Sequence, residues 1–118
     1  MKLIIKGELT DLNTYINAER GNRFAGAKIK KEETERVYWA CKEQKLKKHS
    51  GKATEVLIEW YVKDLRKDAD NIVFAKKFIL DGMVLAKVLP DDTRRYIDAF
   101  TEMVLVDKKN PRVEVEII

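Results

Sequence analysis

Apolar and polar residues change their spacing several times along the chain, and each change marks an element. Residues 2–8, KLIIKGE, are short and β-branched and lead into polar turn chemistry, which predicts a strand entering a loop. The next segment, LTDLNTYINAERGNR, has room for a short helix at Leu12 to Ala18 before a break at Gly21-Asn22. From about Ala27 to Lys45 the chain reads AKIKKEETERVYWACKEQK, where Ile29, Val37, Trp39, Ala40 and Cys41 stand among charges in a helical pattern. That helix is expected to end near Lys47 to Gly51, where cationic residues precede a glycine.

ATEVLIEWYVK, residues 53–63, alternates and is rich in β-branched and aromatic side chains, so a strand follows. A second helix is predicted from close to Asp70 to about Lys87, before Pro90 forbids continuation and Pro-Asp-Asp opens a turn. Two closing strands, Tyr96 to Val106 and Arg112 to Ile118, flank the turn DKKNP. This order predicts an α+β fold in one domain, a mixed sheet of about four strands with two main helices packed on it.

Composition narrows the chemistry. At 118 residues the chain can bury roughly two thirds of the surface it exposes when unfolded, and needs no staple. A single cysteine, Cys41, excludes a disulfide framework and a CxxC zinc site, and is expected in the core on the Val37 face. With one histidine, His49, near a helix end, any metal must be held by carboxylates, which suit hard ions such as magnesium, manganese or calcium. Trp39 and Trp60 are expected as core or interface anchors. GxGxxG, P-loop, nucleophile-elbow and HExxH motifs are absent, so no nucleotide cofactor is implied. No segment is apolar enough for a bilayer or a secretory signal, so a cytoplasmic protein without a membrane partner is expected. The net charge of +4 is mild, but five cations and no acid lie between Arg20 and Lys31, and five lysines face one glutamate between Lys42 and Lys52.

The acidic residues hold the chemical interest. Asp68 and Asp70 alternate where an extended segment meets a helix, so both carboxylates can converge on one ion. Asp91 and Asp92 occupy the turn after the same helix. Aspartate is also a favoured helix cap and turn residue, and the residues alone leave both readings open. A calcium loop is excluded, since its glycine and glutamate positions counted from Asp68 are Val73 and Ile79. At about 100° per residue, Phe74, Lys77 and Asp81 fall within about 40° of Asp70, whereas Lys76 falls about 120° away. Lys77 thus shares the stripe of Asp70, or simply pairs with Asp81 one turn on.

The run DADNIVFAKKFILDGMVLAKVLPDD, preceded by LRK and followed by RRYI, resembles the RusA family of Holliday junction resolvases, particularly its phage and prophage members. The N-terminal strand leading to LNTYINAERGNR and the ending DKKNPRVEVEI are similar as well, so the resemblance covers nearly the whole chain. It implies a magnesium-dependent (or manganese-dependent) endonuclease that resolves four-way DNA junctions by paired cuts. It implies a symmetric homodimer in a bacterial host cell, acting in recombination, repair or phage DNA processing. Carried over by position, Asp68 and Asp70 match the metal-binding aspartates and Asp91-Asp92 the acidic turn, Asp92 being the better match to the further catalytic aspartate. The helix is longer here than in the shorter bacterial form: counting forward from Asp70 reaches Phe74, and counting back from Asp91-Asp92 reaches the catalytic lysine as Lys77. Lys87 stands where related sequences have a glycine. Arg20, Arg23, Lys28, Lys30, Lys31, Lys63, Arg66, Lys67 and Lys76 are then the expected DNA contacts.

Overall fold

Alternation builds the sheet. In the computed structural model, which describes residues 1–118, the elements run β1 (Lys2–Lys6), α1 (Leu12–Gly21), α2 (Arg23–Glu43), β2 (Val56–Val62), α3 (Ala69–Val73), α4 (Lys76–Leu85), β3 (Phe100–Val106) and β4 (Arg112–Ile117). Val56, Ile58, Trp60 and Val62 of β2, with Val113, Val115 and Ile117 of β4 and Leu3 and Ile5 of β1, form one buried face. Val37 and Cys41 of α2 and Phe78, Ile79 and Met83 of α4 join them in one core. The fold is α+β, with a four-stranded mixed sheet in the order β1-β4-β2-β3.

The closing strands do not pair with each other. β4 is antiparallel to β1 and to β2, whereas β3 lies on the far side of β2 and runs parallel to it. The turn between β3 and β4 therefore crosses the end of β2. It is held by Asp107, which accepts from Asn110 N (3.1 Å) and from Arg112 Nη1 (2.8 Å).

The helices start and stop differently from the sequence expectation. Asn22 ends α1 and also caps α2, accepting from Phe24 N at 2.8 Å, so α2 begins one turn earlier than Ala27. It ends at Glu43, ahead of Gly51. Lys45 takes the left-handed conformation (φ 55°), and Leu46 N donates to Cys41 O while Lys45 N donates to Lys42 O, the bonds of a Schellman end. The single helix expected from Asp70 to Lys87 is two, broken at Phe74-Ala75. There Ala75, Lys77 and Phe78 donate to carbonyls three residues back, a tighter winding. Phe74 turns inward against Tyr15 (5.3 Å between ring centroids) and Phe78 (5.5 Å), and so leaves the exposed Lys77 stripe.

Gly82 lets α2 and α4 touch. A Cβ there would lie 2.5 Å from the Val37 side chain and 2.9 Å from Thr34 O. Of the two tryptophans, Trp60 is core, and Trp39 is 58% exposed.

Candidate functional site

Two anchors fix the segment that carries Asp68 and Asp70. Lys67 Nζ lies 2.9 Å from Asp11 Oδ2 and 3.6 Å from Glu8 Oε1. Asp11 is itself buried and caps α1 by accepting from Thr14 N at 2.7 Å. Burial pushes its carboxyl up, but the bonds from Lys67 and Thr14 outweigh this and hold it below the usual value. On the other side Asn71 Oδ1 accepts from Asn13 N at 2.9 Å. The asparagine of the DxDN run thus ties α3 to the start of α1.

Between the anchors, Asp68 and Asp70 are exposed, and neither carboxylate takes part in an ion pair or hydrogen bond. Asp68 occupies the cap position in extended backbone (φ −69°, ψ 153°), yet its side chain caps nothing. The helix-cap explanation therefore has no bond to rest on at Asp68.

Lys77 sits where the acidic turn returns to α4. Its ammonium lies 2.7 Å from Asp92 Oδ2 and 3.1 Å from Asp81 Oδ1, and these residues share a shallow groove with Val84, Leu85 and Asp91. Asp91 Oδ1 accepts from Asp92 N at 2.8 Å, which orients the turn. The bonds Lys77 donates to Asp92 and then to Asp81 raise its ammonium above its ordinary value, and the bond from Lys77 lowers Asp92. Both groups are charged at neutral pH.

The turn reaches Lys77 because of how α4 ends. Lys87 adopts φ 62°, Val88 N donates to Met83 O and Lys87 N to Val84 O, again a Schellman end. Lys87 thus takes the backbone conformation that favours glycine.

Lys76 points elsewhere. Its ammonium bonds Glu102 on β3 and stands 4.7 Å from the centroid of the Phe100 ring, while Trp60 Nε1 donates to the other Glu102 oxygen at 3.1 Å. Adjacent lysines are thereby assigned to different neighbourhoods.

The four aspartates do not form one cluster: no three carboxylate, histidine or cysteine side chains come together in a group able to hold an ion. Asp92 is taken by Lys77; Asp68 stands in extended backbone ahead of α3 and Asp70 in its first turn, so the two no longer alternate along one extended segment. Their donor chemistry fits magnesium, which binds through one or two carboxylates and fills its shell with water and substrate phosphate. No protein-family model matches the chain, and no curated protein aligns with it significantly. The site must be read from its own geometry.

The expected DNA contacts are unequal. Arg20, Arg23, Lys30, Lys31 and Lys63 are exposed with no acidic partner; Arg23 stacks on the exposed Phe24 (5.1 Å). Lys28 pairs loosely with Glu32 (3.8 Å) and Arg66 with Asp64 (3.7 Å). Lys67 and Lys76 are half-buried and engaged within the fold. Arg94 and Arg95 were not among the expected contacts. Both are exposed and unpaired, and with Asp91 they line a groove beside the acidic turn. The signal was present in sequence as two adjacent arginines after Asp91-Asp92.

Proposed function

We propose that the chain is a magnesium-dependent, structure-selective endonuclease that resolves four-way DNA junctions by paired phosphodiester hydrolysis. The observation that carries this reading is the pairing of Lys77 on α4 with Asp92 of the acidic turn, with Asp68 and Asp70 left free at the start of the preceding helix, α3. Asp68 and Asp70 would hold the ion, which when bound neutralises charge on the phosphate and activates water. Manganese would serve in place of magnesium.

Lys77 supplies fixed charge. Its raised pKa keeps it protonated, so it cannot act as a base at neutral pH. An ammonium has three donors, and two are used by Asp92 and Asp81. The third remains to meet a scissile phosphate oxygen or the leaving 3′-oxygen, where developing charge is stabilised. Arg94, Arg95 and the exposed cations from Arg20 to Lys31 would hold the arms through phosphate contacts, which makes binding fall with salt. Two opposed cuts require two sites, hence a symmetric homodimer.

The second reading is a DNA-binding module without catalysis, favoured by the absence of a three-carboxylate cluster. A third is a nuclease for forks or flaps. Labelled four-way, fork, flap and linear DNA, incubated with the purified protein with and without magnesium, separate the three. Symmetric nicks in the four-way substrate alone support junction resolution. Fork or flap products without them support the third reading, and no magnesium-dependent product from any substrate supports the second.

A further inference from the structure

We propose that β3 is the surface through which two copies of this chain associate, by antiparallel pairing of β3 with its symmetry mate about a two-fold axis at Met103. The pairing rests on the junction-resolving reading for its purpose. Its test needs no DNA.

The two edges of the sheet are treated differently. At the β1 edge the Gln44 side chain takes both backbone groups of Ile4, accepting from its N–H at 2.9 Å and donating to its C=O at 2.7 Å, and Arg36 bonds Lys6 O. That edge is closed to another strand. β3 has no such cover. Val56 N donates to Ala99 O and Asp107 N to Val62 O, so the odd-numbered residues of β3 bond to β2. The N–H and C=O groups of Phe100, Glu102, Val104 and Val106 therefore point away from the sheet. Natural edges are protected by charges, prolines or bulges; FTEMVLV has no lysine or proline, and its one charge, Glu102, is already neutralised by Lys76. Phe100, Met103, Leu105 and Val106 are instead 41%, 43%, 38% and 50% exposed.

The occupant follows from the register. With Met103 facing its own copy, Phe100 opposes Val106, Glu102 opposes Val104, and Thr101 opposes Leu105. All four outward-pointing residues then fall in hydrogen-bonded pairs, and Met103 in a non-bonded pair on the axis. Shifting the axis to Glu102 sets two carboxylates directly opposite, which is unfavourable. Shifting it to Val104 leaves Phe100 facing Lys108. The only charge on the strand, Glu102, already has Lys76 as its counter-ion. A two-fold interface demands this self-complementarity. The product is a continuous eight-stranded sheet with both helical layers on one side, the two Lys76–Glu102 pairs flanking the axis.

Sedimentation equilibrium and cysteine cross-linking test this. The wild type is expected at twice the 13.8 kDa chain mass, and Met103→Lys at the chain mass with unchanged circular dichroism. Met103→Cys is expected to link two chains on oxidation, because a non-bonded antiparallel pair sets Cα atoms about 4.5 Å apart, within the disulfide range of about 4.4–6.8 Å. Thr101→Cys is expected not to link, since it faces Leu105; the native Cys41 is buried and does not compete. If Met103→Lys unfolds, the cysteine pair decides alone. A wild type at the chain mass, a dimeric Met103→Lys, or equal cross-linking of both cysteine variants overturns the interface. A dimer that passes the cysteine test but cuts no branched DNA keeps the interface and removes the nuclease reading; cutting by a protein that fails it does the reverse.

Discussion

Lys77 Nζ stands 2.7 Å from Asp92 Oδ2, across a turn that joins the second residue of α4 to a loop fifteen residues later. The neighbouring Lys76 bonds Glu102 on the sheet. Replacing each lysine by alanine therefore separates charge at the acidic turn from charge at β3. Lys77→Ala is expected to lower the single-turnover cleavage rate by about 10²-fold or more, the cost of removing one preorganised donor. Lys76→Ala is expected to lose less than about tenfold on the same scale. Equal rates for the two variants would remove Lys77 from the reaction.

The same pair has a pH signature. Asp92 is depressed below 3.8, so its contribution is present above that value and is lost as pH falls through its folded-state pKa. Lys77 is raised above 10.5, so its contribution is present below that value and is lost as pH rises through its folded-state pKa. Between those limits the pair stays ionised. An NMR titration of the Asp92 carboxyl is expected to give a pKa below 3.8 in the wild type and a higher one in Lys77→Met. An unchanged value in the variant would mean that the pair does not persist in solution.

Gly82 tests the α2–α4 contact. Alanine is favoured over glycine in a helix by about 1 kcal/mol, but overpacking against Val37 and the Thr34 carbonyl costs about 1–3 kcal/mol. Gly82→Ala is expected to be destabilising in urea unfolding. Stabilisation by the helix-propensity increment would show that the helices sit further apart.

β2, β4 and the core were legible in the sequence because alternation reports burial directly, as at Val56, Ile58, Trp60 and Val62, whereas the strand expected from Tyr96 begins only at Phe100, an edge strand with no buried residue to mark its start. The break in the second helix was not, since IVFAKKF contains neither glycine nor proline. Its setting is tertiary, with Phe74 turned onto Tyr15 of α1. Nor did DKKNP reveal that β2 lies between the strands it joins, because turn chemistry marks a reversal and not what the reversal spans. At the candidate site, the spacing of Lys77 and Asp81 announced their ion pair. The support from Asp11 to Lys67 spans two helices, a strand and the loops around it, and no local pattern encodes it. The shared stripe of Asp70 and Lys77 assumed an unbroken helix, and the tighter winding at Ala75 changes that geometry.

Lys87 takes the left-handed backbone conformation that favours glycine. Lys87→Gly is expected to fold normally, with a stability change within about 1 kcal/mol and cleavage retained. Lys87→Val forces a β-branched residue into positive φ and is expected to cost about 1–2 kcal/mol. A valine variant as stable as the glycine variant in thermal unfolding would show that the loop adopts another conformation.

The most direct measurement compares wild type and Asp70→Asn on one labelled four-way junction in magnesium, with binding read by gel shift and cutting by denaturing gel. Asp70 is exposed and makes no internal bond, so its replacement leaves the fold without a broken contact. Asp70→Asn is expected to shift the junction at wild-type concentrations and to release no product, while the wild type gives paired symmetric nicks. Cutting by Asp70→Asn at the wild-type rate, or a wild type that shifts the junction and never cuts it, contradicts the assignment.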